Sequence, residues 1–180
     1  MRTLSRSRRF LIAGVSLVIA AATFRGAVSD ALVTRGDDRV RFGDRLAAAR
    51  YYERALDIAP ANTTAADRLA FSLAIQHDRP SVRRALAVST HALARNPANL
   101  NLIADRAFAE MRLGKLRDAA DDFARAGRLG RDARYASFAA RLALASGDRA
   151  RAQRERVAAR ADDPSFAPAR LQLDPKGRTK

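Results

Sequence analysis

The sequence predicts an all-α protein: a right-handed α-solenoid of about four helix-turn-helix units, preceded by an N-terminal hydrophobic helix. Three observations predict it. Hydrophobic residues make up 48% of the 180 residues, much of that share is alanine, the strongest helix former, and only 9 glycines and 6 prolines occur. Those glycines and prolines separate helical runs and recur at a spacing near 34 residues. An uncharged apolar run, Phe10 to Phe24, follows an arginine cluster at the N-terminus.

Residues 1–9 are a basic segment expected on the cytoplasmic side, and residues 10–28 are expected to be a transmembrane anchor or signal sequence. Fifteen apolar residues at about 1.5 Å each reach roughly 22 Å, short of the roughly 30 Å of a bilayer core. Extension to Val28 requires Arg25 to reach the headgroups. The arginines before the run place everything after Val28 outside the cytoplasm. The expected location is therefore membrane-anchored on the periplasmic side of a bacterial envelope, or exported if the chain is cut. Candidate cleavage triplets are Ala20-Ala21-Ala22 and Ser29-Asp30-Ala31. "SRRFLI" also resembles a twin-arginine export signal, without the lysine that usually follows.

After the anchor the chain repeats itself. Gly43, Ala48, Ala55 and Pro60 mark a first copy, and Pro80, Ala85, Ala92 and Pro97 a second. Gly114, Ala119, Ala126 and Arg131 mark the third, and Gly147, Ala152, Ala159 and Pro164 the fourth. The starts lie 37, 34 and 33 residues apart. Each unit reads as two antiparallel helices joined by a tight turn at Gly43, Pro80, Gly114 or Gly147. Alanines seven apart share one helix face and let a partner helix approach closely. Pro60, Pro97 and Pro164 cannot continue a helix and close their units. Helix pairs are expected at 29–42 with 44–58, 64–77 with 80–95, 98–112 with 115–128, and 131–145 with 148–161.

These spacings resemble the tetratricopeptide repeat family over roughly residues 29–164. Tyr52 and Phe123 fill the family's aromatic place before the second alanine, and Gly36 and Ala107 its small place in the first helix. The tryptophan often found in that helix is absent, Ser89 replaces the aromatic in the second copy, and Arg131 replaces the proline in the third. The resemblance implies repeats at 29–62, 63–99, 100–131 and 132–164, with a concave face lined by the first helix of each pair. It implies partner-binding positions at Asp67, Asn101, Ala104, Phe108, Arg112, Ser137 and Arg141. Residues 165–180 read as a solvated tail, from which Phe166 or Leu171 could cover the last repeat unless a partner does.

Little in the chain points to catalysis. No cysteine is present, which excludes disulfides, thiolate metal sites and thiol chemistry. His77 and His91 lie in different helices without metal-ligand spacing, and there is no Gly-x-Ser-x-Gly elbow or phosphate-binding glycine loop. Asp121-Asp122 and Asp162-Asp163 are adjacent on helices and point about 100° apart, which suits solvation rather than paired acid-base work. The expectation is a non-enzyme with no catalytic residue, metal or cofactor.

The charge is +15, from 34 basic and 19 acidic residues. Arginine is interleaved with aspartate along most helices, and the Arg149, Arg151, Arg154, Arg156, Arg160 series spreads around its helix with Glu155 between. Nucleic acid is thereby disfavoured. The function expected is a protein–protein interaction scaffold or assembly factor of the cell envelope, held to the membrane through residues 10–28. It would bind an unidentified protein partner on the concave face, and self-association is left open. The alternative is a basic electrostatic binder of nucleic acid or of an anionic envelope polymer or lipid.

Overall fold

A computed structural model of the protein describes residues 6–76 and 78–164, with side chains from Val15 onward except Leu17. The tail expected at 165–180 and the histidine at position 77 lie outside the described residues, as does most of the basic segment 1–9. The described residues form eight helices and no strand. They are α1 (Arg6–Arg41), α2 (Arg45–Ile58), α3 (Thr63–Ala74), α4 (Arg79–Arg95), α5 (Leu100–Arg112), α6 (Leu116–Gly130), α7 (Ala133–Ala145) and α8 (Arg149–Asp162).

The punctuation residues act where their chemistry requires. Gly43, Gly114 and Gly147 have φ of +81°, +82° and +88°, the left-handed geometry that closes a helix and that a side chain would strain. Pro80 occupies the first turn of α4, where its missing N–H costs nothing. Arg131, standing where other copies have proline, ends α6 at φ 48°. Aspartates supply caps that the repeat pattern did not announce: Asp44, Asp78, Asp132 and Asp148 each accept a hydrogen bond from a backbone N–H at the start of α2, α4, α7 and α8. Asn99 does the same for α5.

The chain divides into two compact units, Met1–Arg68 and Leu69–Lys180, with α3 beginning in the first and ending in the second. In the first unit α1 packs on α2. Tyr52 is fully buried, and a Cβ at Gly36 would overlap its ring, so the small residue in α1 makes room for the aromatic in α2. The Tyr52 hydroxyl donates to Asp37 Oδ1 at 2.7 Å. Burial and that carboxylate push the phenol well above its ordinary range. In the second unit α4 to α8 pack in chain order, α4 on α5, α5 on α6, α6 on α7 and α7 on α8. Ala119, Ala126, Ala152 and Ala159 are buried at these seams, as the small-residue reading requires.

The N-terminal expectation is overturned. The apolar run and the first repeat helix are one continuous α1 of 36 residues, about 54 Å long, because nothing between Phe24 and Ser29 stops a helix. Arg25 does not reach for headgroups; its Nε donates to the Ile58 carbonyl at 3.0 Å. Ser29, fully buried, donates to the Ala55 carbonyl at 2.9 Å and accepts from Asn62 Nδ2 at 2.8 Å. The segment from Arg25 onward thus serves the repeat rather than a bilayer, and the triplet Ser29-Asp30-Ala31 lies inside a packed helix. Among the described residues no helix is long and apolar enough to cross a membrane. The anchor at 10–28, and the periplasmic or exported location inferred from it, fall with that finding.

Candidate protein-binding face

Three helices of the second unit meet around an aromatic cluster. Phe123 of α6 is fully buried, with Tyr135 and Phe138 of α7 stacked near it at ring-centroid distances of 6.1 and 5.2 Å. Phe108 of α5 meets Phe123 edge-on at 4.9 Å and Phe138 at 5.9 Å. Such edge-to-face and offset contacts add to the burial of the rings. They fix α5 and α7 side by side, bridged by the Phe108–Phe138 contact.

Asn101, Ala104, Phe108 and Arg112 follow one another at helical intervals and share a face of α5, and Ser137 and Arg141 share one of α7. Asn101 and Arg112 are exposed, and Phe108 is half-buried, its inner edge committed to the cluster. Arg141 lies over the Phe138 ring, its guanidinium carbon 5.6 Å from the centroid. Ala104 and Ser137 are buried. Asp67, in the first unit, is buried and pairs with Arg68 at 3.3 Å. Six of the seven expected positions thus lie on two bridged helices, and four of them have surface to offer.

Beside this face lies a charge network that the sequence did not reveal. Arg106 of α5 grips Asp122 of α6 with two parallel bonds, Nε to Oδ2 at 2.5 Å and Nη2 to Oδ1 at 2.8 Å. Glu110, one turn further along α5, is 8% exposed, and its Oε2 has no hydrogen-bond partner among the described residues. Burial first, then the Asp122 and Asp118 charges, raise its carboxyl to about 7 against the opposing pull of Arg106 and Lys115. Asp121, adjacent to Asp122, is exposed and pairs instead with Arg151 of α8 at 2.7 Å. The adjacent carboxylates serve two different seams, as their 100° divergence allows. The only available signal was the i, i+4 spacing of Arg106 and Glu110, which is common to any solvated helix face.

A shallow depression of about 350 Å³ at the α5–α6 turn is lined by Gly114, Lys115, Leu116, Arg117, Asp118 and Ser146. Among the described residues no group of three or more His, Cys, Asp or Glu side chains is placed to hold a metal. His91 is exposed on α4.

No family model and no curated protein matches the chain. Solved structures do. "MamA 41-end from Desulfovibrio magneticus RS-1" aligns over 76% of this chain and 76% of its own, with a TM-score of 0.66 and 17% identity. A MamA structure from AMB-1 aligns over 78% and 75%, with a TM-score of 0.64 and 21% identity. The NMR structure of the first TPR domain of the human RPAP3 protein aligns over 78% of this chain and 99% of its own, at a TM-score of 0.54 and 19% identity. At such identities the likeness speaks for the fold, and the fold is of the tetratricopeptide-repeat type.

Proposed function

We propose that the protein is a non-catalytic interaction scaffold that holds a segment of a protein partner on the face shared by α5 and α7, the surface that repeat stacking would make concave. One observation carries this reading: the Phe108–Phe138 contact bridges the helix that bears Asn101 and Arg112 to the helix that bears Arg141, itself steadied over a ring. Asn101 can bond a peptide backbone, the outer edge of Phe108 can bury an apolar side chain, and the two arginines can grip carboxylates. Such groups, set on rigid helices, lose little freedom when a partner docks. The fold supports the same reading, because stacked helical hairpins leave an extended surface open to other chains.

Crosslinking the full chain in cells, followed by mapping of the linked peptides, tests the reading. Crosslinks concentrated on α5 and α7, and lost in an Asn101→Ala/Arg112→Ala/Arg141→Ala variant that keeps its helical content, are expected. Crosslinks scattered over the surface and indifferent to that variant would overturn it. So would binding to any polyanion that weakens steeply with salt and ignores the three substitutions, the mark of a purely electrostatic binder.

A further inference from the structure

The fourth hairpin repeats the third at an offset of 33 residues, so each position of α8 has an equivalent in α6. In α6 the face that receives the next helix is apolar and small. Phe123 stacks on α7, Ala120 and Ala124 are buried, and the backbone of Ala136 comes so close that a Cβ at Gly127 would lie 3.0 Å from its nitrogen. In α8 the equivalents of Ala120, Phe123, Ala124 and Gly127 are Gln153, Arg156, Val157 and Arg160, and Arg149 replaces Leu116. All five are exposed, Val157 at 58%. The spacing 149, 153, 156, 160 runs along one stripe of the helix, about 16 Å long. Arg149, Arg156 and Arg160 form no ion pair among the described residues. Arg151, by contrast, is turned inward to Asp121 and Arg154 to the opposite side, so the series is not an even spread around the helix.

We propose that the outer face of α8 is a docking site for an acidic amphipathic helix of another protein, which extends the helical stack by one element. The position is the one where α4 receives α5 and α6 receives α7. The charge selects the occupant: arginines spaced i, i+7 and i+11 call for carboxylates on matching turns of the docked helix, and Val157 offers an apolar shoulder beside them. Charge argues against an occupant drawn from these 180 residues. Residues 165–180 carry Arg170, Lys176, Arg178 and Lys180 against Asp174 alone, and a second α8 would present the same arginines. A phosphate backbone would use the arginines but not the apolar shoulder. Because Arg160 fills the place of Gly127, the docked helix stands further off than α7 does from α6 and is held by side-chain bridges.

The test uses the full chain and three probes. One is a synthetic helical peptide of about 15 residues with glutamates at i, i+4, i+7 and i+11 and leucine beside them. The others are a scrambled peptide of the same composition and a single-stranded DNA of about 20 nucleotides. The patterned peptide is expected to bind at least about tenfold more tightly than the scrambled one. Arg149→Glu/Arg156→Glu/Arg160→Glu should weaken it by about ten- to a hundredfold with circular dichroism unchanged. The milder glutamine triple should give a smaller loss in the same direction. Arg112→Glu/Arg141→Glu should leave this binding intact, which separates the site from the α5–α7 face. Equal binding of both peptides, displacement by the DNA at matched charge, no binding of the patterned peptide, or indifference to the α8 variants would each overturn the proposal.

Discussion

The α1–α2 hairpin of the first unit and the α5–α6 hairpin of the second solve one packing problem with different chemistry. Both bring an aromatic from the second helix against a small residue in the first, Tyr52 against Gly36 and Phe123 in the place beside Ala107. Tyr52 brings a hydroxyl into the interior, and Asp37 must be there to accept it. Phe123 brings none, and its surroundings are rings from α5 and α7. The polar atoms of the second hairpin lie instead at Arg106, Asp122 and Glu110, and one carboxylate oxygen there is left without a bond among the described residues. The same repeat slot is thus polar and satisfied in one unit, apolar and flanked by an unsatisfied charge in the other.

The largest effect should come from emptying the apolar slot. Phe123→Ala removes a ring that three others touch and should cost about 3–5 kcal/mol by chemical denaturation. A loss under about 1 kcal/mol would mean that the cluster is not a core. Overfilling the polar slot should come next. Gly36→Ala drives a methyl into the Tyr52 ring and should cost about 1–3 kcal/mol, part of it recovered when Tyr52→Leu is added. Without such recovery, the two residues do not constrain each other.

Glu110→Gln tests the unsatisfied charge. The folded carboxyl is raised to about 7 from an ordinary 4.5, so the native state holds its proton more tightly than the unfolded chain. Stability attributable to this group is therefore full below about pH 4.5 and is lost as the pH rises through about 7. Glutamine does not ionise. The variant should match the parent at pH 4 and exceed it by about 1–3 kcal/mol at pH 8, read from denaturation midpoints at both values. A difference independent of pH would remove the buried charge from the account. The smallest change is Tyr52→Phe. It deletes one hydrogen bond to a half-exposed carboxylate that Arg68 also reaches, and should cost about 1 kcal/mol in thermal unfolding.

Much of the fold was legible because its signals are local. A glycine at a turn, a proline after a helix and alanines seven apart each act within a few residues, and α2 and α4 to α8 begin and end within about three residues of where those signals put them. The candidate face was half legible. Helical spacing groups Asn101, Phe108 and Arg112, but only the Phe108–Phe138 contact shows that the helix bearing Arg141 packs against theirs. The burial of Ala104 and Ser137 depends on neighbours that no spacing reports.

Repeat period, helical class and the absence of thiol chemistry were settled by the order of residues alone, since backbone geometry and side-chain size dictate them wherever the segment lies. Three matters waited for helices to be placed against one another. Arg25 and Ser29 belong to a hairpin because the end of α2 meets them there. Asp122 faces Arg106 while Asp121 faces Arg151, a choice among many arginines that only proximity makes. The arginines of α8 line a stacking seam because α7 covers the other side of that helix. Charge pairing and burial depend on distance through space, and a chain rich in one kind of cation leaves that distance unspecified until it has folded.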